Sequence, residues 1–292
     1  MINFLIIIII FVLLILTYFT KCAYNEHFNK KYKLCIMAIF KNEHTYLEEW
    51  LDYHIEQGIE HFYLYSNDDK MENYPFLNNN KYKNFITIID WVDKINDGKN
   101  TVQKQAYTDC IKKYNDTYEY IMMLDIDEFI TPTQNNKVID VINSLDKDTN
   151  IKAVKVMRFN YGSNGFITRP EGNVMDNYKK REKICSNYKT IANSNFIDIT
   201  ANFYGVHDFP FINKEGKIYN KYFTYSITGF PNACTNDSIN EIPLIIKHYY
   251  TKSYEEYLKR CELWKTGGIN NINFRQNCES EFKKADKNEI SD

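Results

Sequence analysis

The sequence predicts an α/β protein: a mixed, mostly parallel sheet flanked by helices and preceded by one N-terminal transmembrane helix. Three observations predict it. Apolar runs of strand length alternate with segments of helical period, polar and acidic residues gather where those runs end, and an uncharged apolar stretch opens the chain. The 292 residues, 44% hydrophobic and 16% aromatic, suffice for one full-sized core. A net charge of -2, from 36 basic and 38 acidic residues, offers no basic field, so nucleic acid is not an expected partner.

Residues 4–19 carry no charge, and the apolar character runs on to Thr20. A spanning helix needs about 20 mostly apolar residues, so 1–20 reads as an uncleaved anchor. β-branched residues crowd the region where a cleavage site would want small ones. Residues 21–32 make a short polar stem, and 33–292 the folded domain. Lys21, Lys30, Lys31 and Lys33 follow the anchor, and the positive-inside tendency puts them in the cytoplasm, against a lumenal domain. The seven cysteines lack Cys-x-x-Cys spacing, which argues against a zinc site and admits disulfides in an oxidising compartment. Asn115-Asp116-Thr117 and Asn236-Asp237-Ser238 are glycosylation sequons for that same compartment.

Leu34 to Phe40 reads as a fully buried strand. After Lys41-Asn42-Glu43, the positions Leu47, Trp50, Leu51, His54 and Ile55 form one apolar helical stripe opposite Glu48, Glu49 and Glu56, and Gly58 ends the helix. His61 to Tyr65 is a second strand, closing in Ser66-Asn67-Asp68-Asp69. Phe85 to Ile89 is a third and ends at Asp90. A helix around 102–114 returns the chain to a fourth strand, Tyr120 to Leu124. Strand-helix-strand alternation implies parallel neighbours with right-handed crossovers. Further on, 151–157 and 242–246 read as strands, and Ser253 with Glu256 has the spacing of a capping box that opens a last helix.

Asn42/Glu43, Asn67/Asp68 and Asp125/Asp127 all stand at strand ends, so polar groups converge on one edge of the sheet. Ligands of open α/β sheets bind there. Asp125-Ile126-Asp127 supplies two hard oxygen ligands, which suit a divalent cation that also grips nucleotide phosphates.

In this setting the chain resembles glycosyltransferase family 92. The resemblance rests on Phe40-Lys41-Asn42-Glu43, Tyr46-Leu47-Glu48-Glu49-Trp50, Tyr53-His54, Gly58 with His61-Phe62-Tyr63-Leu64-Tyr65, and Gln105-Ala106-Tyr107 with Asp109-Cys110. Further blocks are Leu124 to Ile130, Phe159 to Gly165, Lys247-His248-Tyr249, and Lys252 to Tyr257, all in the family's order. It implies a GT-A-type, Rossmann-like fold in a single-pass membrane enzyme with a lumenal catalytic domain in the secretory pathway. The implied reaction moves a hexose, typically galactose from UDP-galactose, onto a glycan or glycoprotein acceptor with inversion. The implied cofactor is Mn2+ or Mg2+, held by Asp125, Asp127 and a downstream histidine. His248 is the candidate for that ligand and His207 its rival.

Asn42, Glu43, Asn67, Asp68 and Asp90 are the expected contacts to the uridine half, with Asp125 contacting the cation or the ribose. Each residue type also favours caps and turns. Arg181 and Lys189 are candidate phosphate partners. An inverting transfer needs a carboxylate to take the acceptor proton, and Asp208 and Glu171 are the candidates. The loop Gly162 to Gly165 admits close backbone approach to a donor sugar. Two alternatives stand beside this reading. One is nucleotidyl transfer on the same architecture, which would want a Gly-rich phosphate loop where Phe40-Lys41-Asn42-Glu43 stands. The other is an inactive glycan-binding membrane protein.

Overall fold

The computed structural model describes residues 15, 30–92, 94, 101–134, 136–145, 151–185, 187–203, 205–212, 217–219, 242–266 and 277–292. The expected anchor at 1–20 (Ile15 apart), most of the stem and the Asn236 sequon lie outside them. Among the described residues no helix is long and apolar enough to cross a membrane.

The chain runs β1 (Tyr32–Phe40), α1 (Leu47–Glu56), β2 (His61–Ser66), β3 (Ile86–Asp90), α2 (Val102–Tyr114), β4 (Tyr118–Met123), β5 (Glu128–Pro132) and α3 (Val138–Leu145). It continues through β6 (Ile151–Asn160), α4 (Val174–Asn177), β7 (Lys180–Arg181), β8 (Asn187–Asn193), β9 (Lys217–Tyr219) and β10 (Leu244–His248). It closes with α5 (Tyr254–Thr266), α6 (Cys278–Ala285) and β11 (Ile290–Ser291). One sheet has the order β3-β2-β1-β4-β8-β6-β10-β5, with β9 beside β6, while β7 and β11 pair separately. Strands β1 to β4 are mutually parallel, as the alternation of elements requires. The sheet is mixed because β8 runs antiparallel to both β4 and β6, and β5 antiparallel to β10.

Period-two alternation sorts the core into two layers. Leu34, Ile36, Ala38, Phe62, Leu64, Tyr120 and Met122 face Trp50 and Leu51 of α1 and Val141 and Ile142 of α3. Cys35, Met37, Tyr63, Tyr65, Ile121 and Met123 face Tyr107, Cys110 and Ile111 of α2. Helix α1 is tied to β5 by polar bonds as well. The buried Trp50 indole donates to Glu128 O at 2.8 Å, and His54 Nε2 accepts from the Ile130 N–H at 3.3 Å. His54 Nδ1 donates to Trp50 O at 2.7 Å, so its ring is a satisfied structural linker. Gly58 takes φ +86°, and a Cβ there would sit 2.3 Å from Ile139 Cγ2. Only glycine fits both demands.

Between the end of β4 at Met123 and the start of β5 at Glu128 lie residues 124–127, yet β8, β6 and β10 separate those strands in the sheet. A flat sheet would put β4 and β5 about 19 Å apart, and the connection reaches about 17 Å fully extended. The sheet therefore curls, and the Asp125–Asp127 segment is the strap across its open edge.

Candidate active site

The strand ends come level. Phe40, Ser66 and Asp90 are register partners across β1, β2 and β3. Across the curl, His248 ends β10 with Asn160 of β6 on one side and Glu128 of β5 on the other. Because β5 is antiparallel, its first residue meets the last residues of its neighbours. The strap thus delivers its carboxylates to an edge already lined with polar side chains.

The two aspartates go to different tasks. A turn closed by the Glu128 N–H to Asp125 O at 3.0 Å separates their directions. Asp125 Oδ2 accepts from Lys189 Nζ at 2.9 Å, and its Oδ1 accepts from Gln103 Nε2 at 2.9 Å, from the first turn of α2. Lys189 is fully buried on β8 and also bridges Glu128 Oε2 at 3.0 Å. Arg158 Nη1 holds the other Glu128 oxygen, Oε1, at 3.0 Å. Burial alone would push the Glu128 carboxyl up, but Lys189, Arg158 and His248 bring it down to about 2. Burial likewise opposes charge on Lys189, and Asp125 and Glu128 overcome it and hold the ammonium above its ordinary value. The result is a ladder, Asp125–Lys189–Glu128–Arg158, that runs from the strap into the fold, with Lys189 and Glu128 fully buried.

Asp127 faces the other way. Its Oδ1 lies 3.5 Å from His248 Nε2 and its Oδ2 accepts from Arg260 Nη1 at 2.9 Å. Burial raises its carboxyl, yet His248, Arg260 and Lys252 together hold it well below the carboxylate range. His248 is oriented from behind. Its Nδ1 meets Asn160 Oδ1 at 2.6 Å, and Asn160 donates both its backbone N–H (2.7 Å) and its side-chain amide to Glu182. With the amide nitrogen committed to Glu182, Oδ1 accepts the Nδ1 proton, and Nε2 is the nitrogen turned to Asp127, whose lone pair would serve an ion that enters between them. Two lone-pair donors 3.5 Å apart suit neighbouring ligands of one small cation, which at bond lengths of about 2.1 Å stand roughly 3 Å or more apart. Among the described residues no group of three or more His, Cys, Asp or Glu is placed to hold an ion. An ion on Asp127 and His248 would thus complete its shell from a ligand and water, the usual habit of magnesium-type sites.

The remaining expected residues fall in three places. Asn42, in the left-handed region at φ 59°, and Asp68 are brought together: Asp68 accepts from the Asn42 N–H (2.8 Å), the Tyr74 hydroxyl (2.8 Å) and the Lys70 N–H (3.1 Å). That carboxylate is spent on bracing the β1 and β2 loops against each other. Glu43 reaches toward the centre, with Lys252 Nζ 3.8 Å away. Burial pushes its carboxyl up, and Lys252 partly offsets this. Asn67 is half-buried at the β2 end, and Asp90 is exposed and caps the Val92 N–H at 3.0 Å.

Asp208 pairs with Lys155 and accepts from Thr190 at 3.0 Å, on the β8 side of the ladder. Beside it the His207 ring is pushed down to about 4 by burial and by nearby Lys189 and Arg158, with Nδ1 on Tyr188 O at 3.0 Å. Glu171 is exposed, in the turn that Asn177 binds through the Glu171 carbonyl. Arg181 is not grouped with the strap: it stacks on Phe159 and pairs with Asp292 at 2.7 Å. The close approach at Gly162 is to the chain itself, since a Cβ there would lie 2.6 Å from Lys287 O.

Glu128, Arg158, Asn160, Lys252 and Arg260 complete the arrangement without having been expected. Glu128 directly follows the Asp-x-Asp pair, which is a signal of a kind. Asn160 and Lys252 lie inside blocks that carry the resemblance, while Arg158 and Arg260 are brought in by register and helix packing, which short motifs do not report.

Acid, histidine and cation gathered at the strand-end edge of a mostly parallel, curled sheet define an α/β protein with its ligand edge in the usual place. The family model Glycosyltransferase family 92 matches residues 30–228, more than half of the chain, and the protein belongs to that family. A family 92 protein of Oryza sativa subsp. japonica is 21% identical over 214 residues, 70% of this chain and 35% of that protein. One of Ricinus communis is 24% identical over 195 residues, 64% and 34%. One of Arabidopsis thaliana is 22% identical over 172 residues, 55% and 28%. The chain spans about a third of the length of the curated relatives it matches. His248, Lys252 and Arg260 lie beyond the matched residues.

Proposed function

We propose that this chain is a metal-dependent hexosyltransferase with a GT-A-type fold. It moves a hexose, galactose from UDP-galactose in the family's pattern, onto a glycan or glycoprotein acceptor with inversion. The observation that carries the reading is the meeting of Asp127 and His248, which are far apart in sequence, with Nε2 and Oδ1 3.5 Å apart at the ligand edge. The fit is to Mn2+ or Mg2+, which supplies Lewis-acid neutralisation of the leaving diphosphate. Asp127 and His248 hold the ion, Asn160 fixes the imidazole tautomer, and the ladder fixes the strap that carries Asp127. Asp125 marks the ribose side. Glu43, with Asn42, Asn67 and Asp90 on the level strand ends, lines the uridine side. Asp208 is the better placed proton acceptor, because its neighbour His207 lies near Lys189 and Arg158 while Glu171 sits on an outer turn.

An anchor at 1–20 and a lumenal domain go with this reading. Cys261 and Cys278 form a disulfide, as an oxidising compartment allows. Asn115 is a poor glycan acceptor all the same, since its amide nitrogen donates to Ser194 O at 3.2 Å.

Titration calorimetry of UDP with and without Mn2+ tests the proposal, on the wild type and on Asp127→Asn. Manganese should strengthen UDP binding in the wild type, and the isosteric variant should lose that gain and its turnover. Equal UDP affinity with and without the ion, or an unaltered variant, would refute it. A screen of UDP- and GDP-sugars by nucleotide release then identifies the donor.

A further inference from the structure

The geometry points to Arg260 as a place-holder for the cation: its guanidinium occupies Asp127 in the ligand-free chain and transfers its pairing to the donor diphosphate when ion and nucleotide enter together. The inference rests on the functional reading above and adds a coupling to it.

The Asp127 carboxylate is shared between two partners, His248 at Oδ1 and Arg260 Nη1 at Oδ2, the latter at 2.9 Å. A divalent ion bound on Asp127 would sit within a few ångströms of the guanidinium, and like charges so close repel. Manganese alone must therefore displace or endure Arg260. A diphosphate changes the balance by offering the guanidinium a bidentate anionic partner, the geometry for which arginine is suited. Each ligand thus removes an obstacle to the other.

Three features make the exchange a side-chain movement on a fixed support. The guanidinium lies over the Tyr250 ring, 4.6 Å from its centroid, and the side chain as a whole is 23% exposed while its Nη2 is buried. Helix α5 is fixed at its start by the capping box, with the Glu256 N–H donating to Ser253 Oγ at 3.4 Å and the Ser253 N–H to Glu256 Oε2 at 3.1 Å. The residue after Arg260 is Cys261, disulfide-bonded to Cys278 of α6. Lys252, in the left-handed region at φ 51° and paired with Glu43, keeps a second positive charge at the same rim when Arg260 turns to phosphate.

The experiment is a calorimetric cycle on the full chain: Mn2+ alone, UDP alone, and each in the presence of the other, for wild type, Arg260→Met and Arg260→Lys. Coupling is reciprocal, so the wild type should show the same enhancement by either route, on the order of tenfold. In Arg260→Met, manganese alone should bind several-fold tighter, UDP alone weaker, and the enhancement should fall toward unity. Arg260→Lys should retain part of it. These opposed changes are the signature, because a merely structural arginine would weaken both ligands together. Parallel weakening, or an enhancement unchanged in Arg260→Met at an unaltered melting temperature, overturns the inference and leaves the functional reading intact. A wild type without manganese-dependent UDP binding overturns the functional reading and takes the inference with it.

Discussion

Replacing Lys189 by methionine removes one ammonium and almost nothing else in shape, and the structure fixes what that should cost. Lys189 Nζ is fully buried between Asp125 Oδ2 at 2.9 Å and Glu128 Oε2 at 3.0 Å. Glu128 itself has no exposed surface, and its remaining partners would be Arg158 at 3.0 Å and the Asp125 N–H at 3.1 Å. Breaking a buried pair by removing one member typically costs ~3–5 kcal/mol. A second route gives a similar size. The Glu128 carboxyl goes from an ordinary 4.5 to about 2 in the fold, which corresponds to about 3 kcal/mol at 1.36 kcal/mol per unit. Against a total of ~5–15 kcal/mol for a domain, the variant should fold but unfold far more easily.

The sign of the pH dependence separates lost charge from lost packing. Glu128 is depressed in the fold, so its contribution is fully present above pH 4.5 and is lost as pH falls toward 2. In Lys189→Met that depression largely vanishes, so the gap between wild type and variant should shrink in the same window. Guanidinium unfolding at pH 7 and at pH 3 measures it, and the gap at pH 3 should be less than half of that at pH 7, by about 2 kcal/mol. A gap under about 1 kcal/mol at pH 7, or one that is equal at both pH values, would refute the ladder as a charge network.

Two further outcomes follow from the fold. Burial pushes the rings of His54 down to about 3 and of His61 and His207 to about 4, so the unfolded chain takes up protons first and stability should fall as pH drops below about 6.5. Melting temperature by circular dichroism from pH 8 to pH 4 checks this, and a flat profile between pH 6.5 and pH 4 would contradict it. Reducing Cys261–Cys278, 17 residues apart, should destabilise α5 and α6 by up to ~3 kcal/mol on loop-entropy grounds. Because a reductant would also open the disulfide of Cys185, urea midpoints of the wild type and of Cys261→Ser/Cys278→Ser measure it, and identical midpoints would show that the link leaves the unfolded chain unrestrained.

How much of this was legible in the sequence depends on what each segment buries. Strands β1, β2 and β4 and helices α1 and α2 bury apolar side chains on regular periods, and the pattern places them, while β3 is placed by its apolar run although it is only partly covered. Strand β8, Asn-Tyr-Lys-Thr-Ile-Ala-Asn, is buried along almost its whole length, yet it reads as polar because Lys189 and Thr190 serve ion pairs and hydrogen bonds. Hydrophobic periodicity is blind to a strand whose interior is ionic. Strand β5 is short, ends in Pro132 and lies at the sheet edge, where proline is tolerated. Helix α3 did carry a signal, Val138, Val141, Ile142 and Leu145 at helical spacing. The placement of Arg260 had none, because it depends on how α5 packs after the last strand.

The Asp-x-Asp motif shows most directly where local pattern stops and fold takes over. On an extended strand, residues two apart would present both carboxylates to one face, and a pair acting together on one ion would be the natural inference. The turn from Asp125 to Glu128 breaks that equivalence. Asp125 is bound by Lys189 and Gln103, where it secures the strap to β8 and α2 with its side chain still 33% exposed. Asp127, only 11% exposed, faces His248 and Arg260. The division follows from the curl of the sheet: a strap this short across three strands must be pinned at one end to hold the other in place. One carboxylate therefore pins the strap, while the other meets the histidine and the arginine brought by β10 and α5. The two identical residues differ in their partners because the chain bends between them.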